Sequence, residues 1–91
     1  MKNQSVWKKN VGHLINATEN FAKGNIGMKN YEAFIKMISA DFKKIDFRYE
    51  KIKDIYILNF VFHFRSNAYP IWVDLEVNTK TKEADVITIQ Q

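Results

Sequence analysis

Two runs of alternating residues, separated by a short polar break, constrain this chain more than any other feature. Leu58, Phe60, Phe62 and Phe64 alternate with Asn59, Val61, His63 and Arg65; Ile71, Val73, Leu75 and Val77 then alternate with Trp72, Asp74, Glu76 and Asn78. Successive side chains of a β-strand point to opposite faces, so a period of two gathers each set on one side. The stretch from Ile55 to Val77 is therefore a hairpin with one apolar face and one mixed face.

The same period continues on either side. Phe47 and Tyr49 alternate with Arg48, Glu50 and Ile52, and Lys53-Asp54 reads as a two-residue turn that sets Ile52 opposite Ile55, Tyr49 opposite Leu58 and Phe47 opposite Phe60. Across Ser66-Asn67-Ala68-Tyr69-Pro70, pairing Phe64 with Val73 also pairs Phe62 with Leu75 and Phe60 with Val77, so the apolar faces again agree. After the polar turn Asn78-Thr79-Lys80-Thr81-Lys82, Ile87 and Ile89 extend the buried face while Val86 and Thr88 join the other.

Before Asp46 the period is helical. Trp7, Val11, Leu14, Ile15, Thr18 and Phe21 form one stripe, with Lys8, Lys9, Asn16, Glu19 and Lys23 opposite. This predicts a helix over about residues 5–23, capped by Ser5 and ended by Gly24 in a left-handed conformation. Gly24-Asn25-Ile26-Gly27 supplies a tight linker. Tyr31, Phe34, Ile35, Ile38, Phe42 and Ile45 make a second stripe and predict a helix over about 28–44, with Glu32 and Lys36 in the favourable i, i+4 order and Lys43 and Lys44 at the negative end of its dipole.

These elements predict an α+β fold: two N-terminal helices packed on one face of a four-stranded antiparallel meander, within a single domain over residues 1–91. In its order of elements the chain resembles the cystatin-like and NTF2-like folds, in which a curved sheet wraps a helix. That resemblance implies a sheet able to curl around a small ligand.

Composition bounds the function. A chain of 91 residues with 46% hydrophobic residues and 13 aromatics is globular and large enough for one core. It has no cysteine, which excludes disulfides and thiolate metal sites. The first 24 residues lack the apolar run of a signal peptide, and no stretch approaches the roughly 18 apolar residues of a membrane span, so a cytoplasmic location is expected.

The net charge of +4 rests on twelve lysines and only two arginines, Arg48 and Arg65. This lysine excess, with abundant Asn and Ile, matches the codon usage of an AT-rich genome. Lysine is a hydrated point charge, whereas nucleic-acid recognition favours the arginine fork. Residues 1–45 carry eight lysines against Glu19, Glu32 and Asp41, a net of +5, and residues 46–91 carry a net of −1. A lysine-rich helical layer binding nucleic acid is accordingly the second reading of function, and a solvated helix face is the plainer account of the same residues.

The mixed sheet face is the candidate site. The expected register sets His63 opposite Asp74, Arg65 opposite Trp72, Val61 opposite Glu76 and Asn59 opposite Asn78, with Arg48, Glu50, Ile52, Ile55 and Ile57 on the neighbouring strands. His63 with Asp74 reads first as a cross-strand polar pair and second as an acid–base dyad. Arg65 over Trp72 reads as an internal cation–π contact or as a partner anchor, since Trp and Arg dominate interface hot spots. The remaining histidine, His13, falls on the polar arc of the first helix, so no metal site is expected, and no phosphate loop, nucleophile elbow or zinc-helix motif implies a cofactor or catalysis.

The leading expectation is a small non-enzymatic protein-binding module that uses Arg65, Trp72, His63, Asp74, Glu76 and Val61 on the outer sheet face, or a sheet edge, to contact a protein partner or its own copy as a homodimer. An inhibitor, immunity or adaptor protein of a bacterium or phage fits this description. The third reading is a small-ligand protein whose sheet encloses His63, Asp74 and Trp72.

Overall fold

The computed structural model describes residues 2–65 and 69–90, with side chains described from Lys8 onward. Helix α1 spans Lys2–Ala22 and α2 spans Met28–Ser39. Four strands follow: β1 (Lys44–Ile52), β2 (Ile55–His63), β3 (Ile71–Asn78) and β4 (Glu83–Gln90), in an antiparallel sheet of order β1-β2-β3-β4. The helices form one layer against one sheet face, α1 over β3 and β4 and α2 over β1. This is the expected α+β arrangement.

Asn10, Leu14, Ala17, Thr18, Phe21 and Ala22 form the buried stripe of α1, while Lys8, Lys9, Asn16, Glu19 and Lys23 are exposed, as the helical period requires. Trp7 lies outside the described side chains. The helix ends where Gly24 adopts φ +81°; the Asn25 N–H donates to the Asn20 carbonyl at 2.9 Å and the Gly24 N–H to that of Phe21 at 3.1 Å. These two bonds satisfy carbonyls that the last turn leaves open, and a residue without a Cβ adopts the required conformation most readily. At the other end α1 starts at Lys2, so Ser5 lies inside the helix rather than at its cap.

Helix α2 is shorter than its apolar stripe. It stops at Ser39, whose Oγ donates to the Lys36 carbonyl at 2.6 Å, and Asp41 and Phe42 each donate to a carbonyl three residues back. The Lys43 N–H then donates to the His63 carbonyl at 2.9 Å, drawing the chain into the sheet, and β1 begins at Lys44. Lys43 and Lys44 therefore occupy the connection and the strand start instead of a last helical turn. Phe42 still enters the core, because this tight turn keeps its side chain on the face that the helical period assigns.

The core is aromatic. Phe60, Phe62, Leu58, Val73, Leu75 and Val77 rise from the sheet to meet Leu14, Phe21, Tyr31, Ile35 and Phe42. Phe42 packs edge-on against Phe62 and Phe64 at 5.3 and 5.5 Å between centroids, and Phe21 stacks on Tyr31 at 5.1 Å. Each fully buried phenylalanine contributes about 1.5–3 kcal/mol through the area it removes from water. Truncating Phe60 to alanine is the single change best placed to break this layer, at about 3–5 kcal/mol.

The three hairpins differ in how closely they follow the expected register. In β1–β2, Ile52 faces Ile55, Tyr49 faces Leu58 and Phe47 faces Phe60, as alternation predicts. In β2–β3, Phe62 faces Ile71, Phe60 faces Val73 and Leu58 faces Leu75. Phe60 thus meets Val73 rather than Val77, and each β2 residue pairs four positions earlier in β3 than the match of Phe64 to Val73 implies. The cause is that β2 ends at His63. Phe64 turns onto the Phe42 ring and Arg65 donates to the Ala40 carbonyl at 3.1 Å, taking both off the ladder and lengthening the loop. Ser66, Asn67 and Ala68 of the expected turn lie outside the described residues.

In β3–β4 the ladder contains a bulge between Asp74 and Leu75. Val77 faces Ala84 and Leu75 faces Val86, but Asp74 faces Thr88 and Val73 faces Ile89, leaving Ile87 as the extra residue. Val86 consequently lies on the helix side, not on the outer face. Ile87 and Ile89, expected in the core, are 52% and 56% exposed, and Ala84 is the β4 residue that packs on the core.

Candidate functional site

The side of the sheet away from the helices carries four residues in each row. One row reads Asp46, Val61, Trp72, Gln90; the next, Arg48, Asn59, Asp74, Thr88; the third, Glu50, Ile57, Glu76, Asp85. Trp72 is 54% exposed although it stands on an inner strand of the sheet. On one side it borders a depression of about 380 Å³ lined also by Asp46, Arg48, Asn59, Phe60, Val61 and Asp74. On its other side a second depression, of about 220 Å³, is formed with Tyr69, Pro70 and Gln90.

The polar groups around Trp72 are held in place. The Asn59 Nδ2 donates to Asp74 Oδ1 at 2.7 Å, fixing a carboxylate that alternation assigns to His63. His63 instead lies opposite Lys44, with its Nε2 2.9 Å from Asp46 Oδ2, while Lys44 Nζ reaches Asp46 Oδ1 at 3.7 Å. The hydrogen bond from His63, reinforced by the Lys44 charge, holds the Asp46 carboxyl below its usual range.

Four expected pairings are therefore corrected. His63 and Asp74 are not cross-strand partners, so the acid–base dyad does not form. Arg65 does not stack on Trp72: Val61 faces Trp72, and the Arg65 guanidinium binds the carbonyl of Ala40, the residue that caps α2. Glu76 faces Ile57 rather than Val61, and Asn78 faces Ile55 rather than Asn59. All are consequences of the same displacement of β3 along β2. Val61, Trp72, Asp74 and Glu76 remain together on the outer face, His63 lies at its β1 edge, and Arg65 leaves it.

Asp46 and Tyr69 are the neighbours of Trp72 that the expected face leaves out; Arg48 is expected on that face, and the displacement of β3 brings it into the row beside Trp72. Asp46 and Arg48 are legible as outward residues of β1, but their distance from Trp72 depends on the loop after β2. Among the described residues no group of three or more histidine and carboxylate side chains is arranged to hold a metal ion, and no helix is long and apolar enough to cross a membrane. Set against protein-family models, curated proteins and solved structures, the chain gives no significant match.

Proposed function

We propose that the chain is a small non-enzymatic module, of the inhibitor, immunity or adaptor kind, that binds another protein through the outer face of its sheet. The observation that carries this reading is Trp72: a large aromatic more than half exposed on an inner strand, set between two depressions. Tryptophan offers a wide apolar contact at little conformational cost, and such residues carry most of the energy at protein interfaces. Around it Asp46, Arg48 and Asp74 supply both signs of charge, and the Asn59–Asp74 and His63–Asp46 bonds hold two of these groups before any partner arrives. A partner then loses little free energy ordering the surface it meets.

Affinity capture with the wild type and with Trp72→Ala and Arg48→Glu, followed by direct titration of the purified candidate, tests the reading. A genuine partner binds the wild type and loses more than about tenfold in affinity with both variants, a change of about 1.4 kcal/mol or more. A purified partner that binds both folded variants as tightly as the wild type would show that another surface is used.

A further inference from the structure

We propose that the partner of the outer sheet face is a protein with a basic surface, whose lysines and arginines meet the carboxylates beyond Trp72. This rests on the outer-face reading and names the chemistry of its partner. Charge is divided between the two sides of the molecule. The outward positions of the four strands carry Asp46, Glu50, Asp74, Glu76, Glu83 and Asp85 against only Lys44 and Arg48. The chain as a whole carries +4, so this face is opposite in sign to the rest of the protein.

The negative excess has a definite place. Asp46 is engaged by Lys44 and His63, and Arg48 shares a row with Asp74, so the surroundings of Trp72 are close to neutral. The next row toward the β1–β2 turn, Glu50, Ile57, Glu76 and Asp85, holds three carboxylates and no cation, and Glu83 follows opposite Asn78. Glu76 lies directly opposite Asp85, and like charges so placed destabilise a ladder. Lys53, Lys80 and Lys82 stand in the turns beyond the strands, and among the described residues none is ion-paired with these carboxylates. A local rule broken in this way is expected where a surface is shaped by what it meets rather than by the fold.

Charge complementarity selects the occupant. A nucleic acid, an acidic protein or a second copy of this face would bring negative charge to negative charge. A basic protein is drawn in by the field before contact and forms charge pairs after it. Trp72, four residues before Glu76 on β3, supplies the apolar anchor, and Arg48 beside it meets one acceptor of the partner. Asp74, whose Oδ1 already accepts from Asn59, offers an incoming guanidinium or ammonium a carboxylate fixed in advance. The two parts of the face have separate effects: contacts beside the indole govern how long the complex lasts, and the carboxylates govern how fast it forms.

Amide NMR of the full chain, titrated with a hexa-arginine peptide and with a hexa-glutamate peptide, tests the chemistry of the face without a partner in hand. Hexa-arginine should move the amides of Glu50, Asp74, Glu76 and Asp85 and the Trp72 indole N–H, and high salt should abolish the shifts. Hexa-glutamate should leave them in place. Glu76→Gln combined with Asp85→Asn should weaken hexa-arginine by about fivefold or more, while raising the urea midpoint of the free protein because the opposed pair is gone. Hexa-arginine shifts confined to the surroundings of Glu19, Glu32, Asp41 or Asp54, or a lowered midpoint in the double variant, overturn the proposal. For a purified partner that is lost with Trp72→Ala, the same double variant should slow association about tenfold, whereas Trp72→Ala and Arg48→Glu should speed dissociation. A partner lost with Trp72→Ala but indifferent to the two carboxylates and to salt overturns the basic-surface proposal and leaves the outer-face reading standing. Binding indifferent to all of these variants overturns both.

Discussion

The hydroxyls of Thr18 and Tyr31 lie 2.6 Å apart in the buried seam between the two helices. Thr18 Oγ also lies 2.7 Å from the Leu14 carbonyl, and because it has one hydrogen and gives it there, the Tyr31 hydroxyl is the donor between them. Tyr31→Phe removes that donor and leaves Thr18 its bond to Leu14, at about 1 kcal/mol. Thr18→Val leaves the Tyr31 hydroxyl buried without an acceptor and should cost more, about 1–3 kcal/mol. Urea unfolding of both variants and the double variant checks this; the double should cost less than the two singles together.

Burial pushes the Tyr31 phenol well above the usual tyrosine range. The unfolded phenol begins to ionise near pH ~10 while the folded one stays protonated, so the native state holds the extra proton. Its contribution is complete below pH ~10 and declines above it, by up to about 1.4 kcal/mol per pH unit, until the folded phenol also ionises. Stability measured from neutral to strongly alkaline pH should show a steeper loss in the wild type than in Tyr31→Phe. Parallel curves would count against the assignment.

Asp46 titrates in the opposite sense. Its carboxyl is depressed in the folded state, so the stability it contributes is present above the unfolded carboxylate value near ~3.9 and disappears as pH falls through the folded value. Carbon-detected NMR should place its midpoint below that of an ordinary aspartate, and His63→Gln should bring the midpoint back up. An unchanged midpoint in that variant would exclude the His63 bond as the cause.

Arg65 holds the end of β2 to the residue that caps α2, and Trp72 is not its neighbour. Arg65→Ala should cost about 1 kcal/mol or less, the range of a single exposed hydrogen bond, and should leave the Trp72 indole N–H resonance where it was. A large shift of that resonance would restore the stacked pair that alternation suggests.

Two positions have their glycine preference reversed. Gly12 sits inside α1, and nothing lies within 4 Å of the place a Cβ would take, so Gly12→Ala should stabilise by about 0.5–1 kcal/mol. Lys53 holds φ 56° in the turn between β1 and β2, where glycine avoids the left-handed strain at the cost of some unfolded-state entropy. Lys53→Gly should be neutral or stabilising by up to about 1 kcal/mol. Thermal unfolding of both variants decides the sign.

The buried half of the molecule was legible in the sequence because periodicity reports which side of an element a residue occupies. It assigns Phe60, Phe62, Val73 and Leu75 to the core, where they lie. The partners across strands were less legible, since alternation cannot distinguish registers displaced by an even number of residues. What chose between them was the use of Phe64 and Arg65 off the ladder, a tertiary event involving Phe42 and Ala40. The bulge at Ile87 was hidden for a related reason. No glycine marks it, and its β-branched neighbours read equally well as an unbroken strand.

Sliding β3 along β2 by any even number of residues returns every apolar side chain to the helix side while giving each outward residue a new neighbour. Changes in the length of the loop between Phe64 and Pro70 can therefore reshuffle the combinations around Trp72 with no substitution in the core. The make-up of the outer face can thus change through a connection alone, and folding stability need register little of the change.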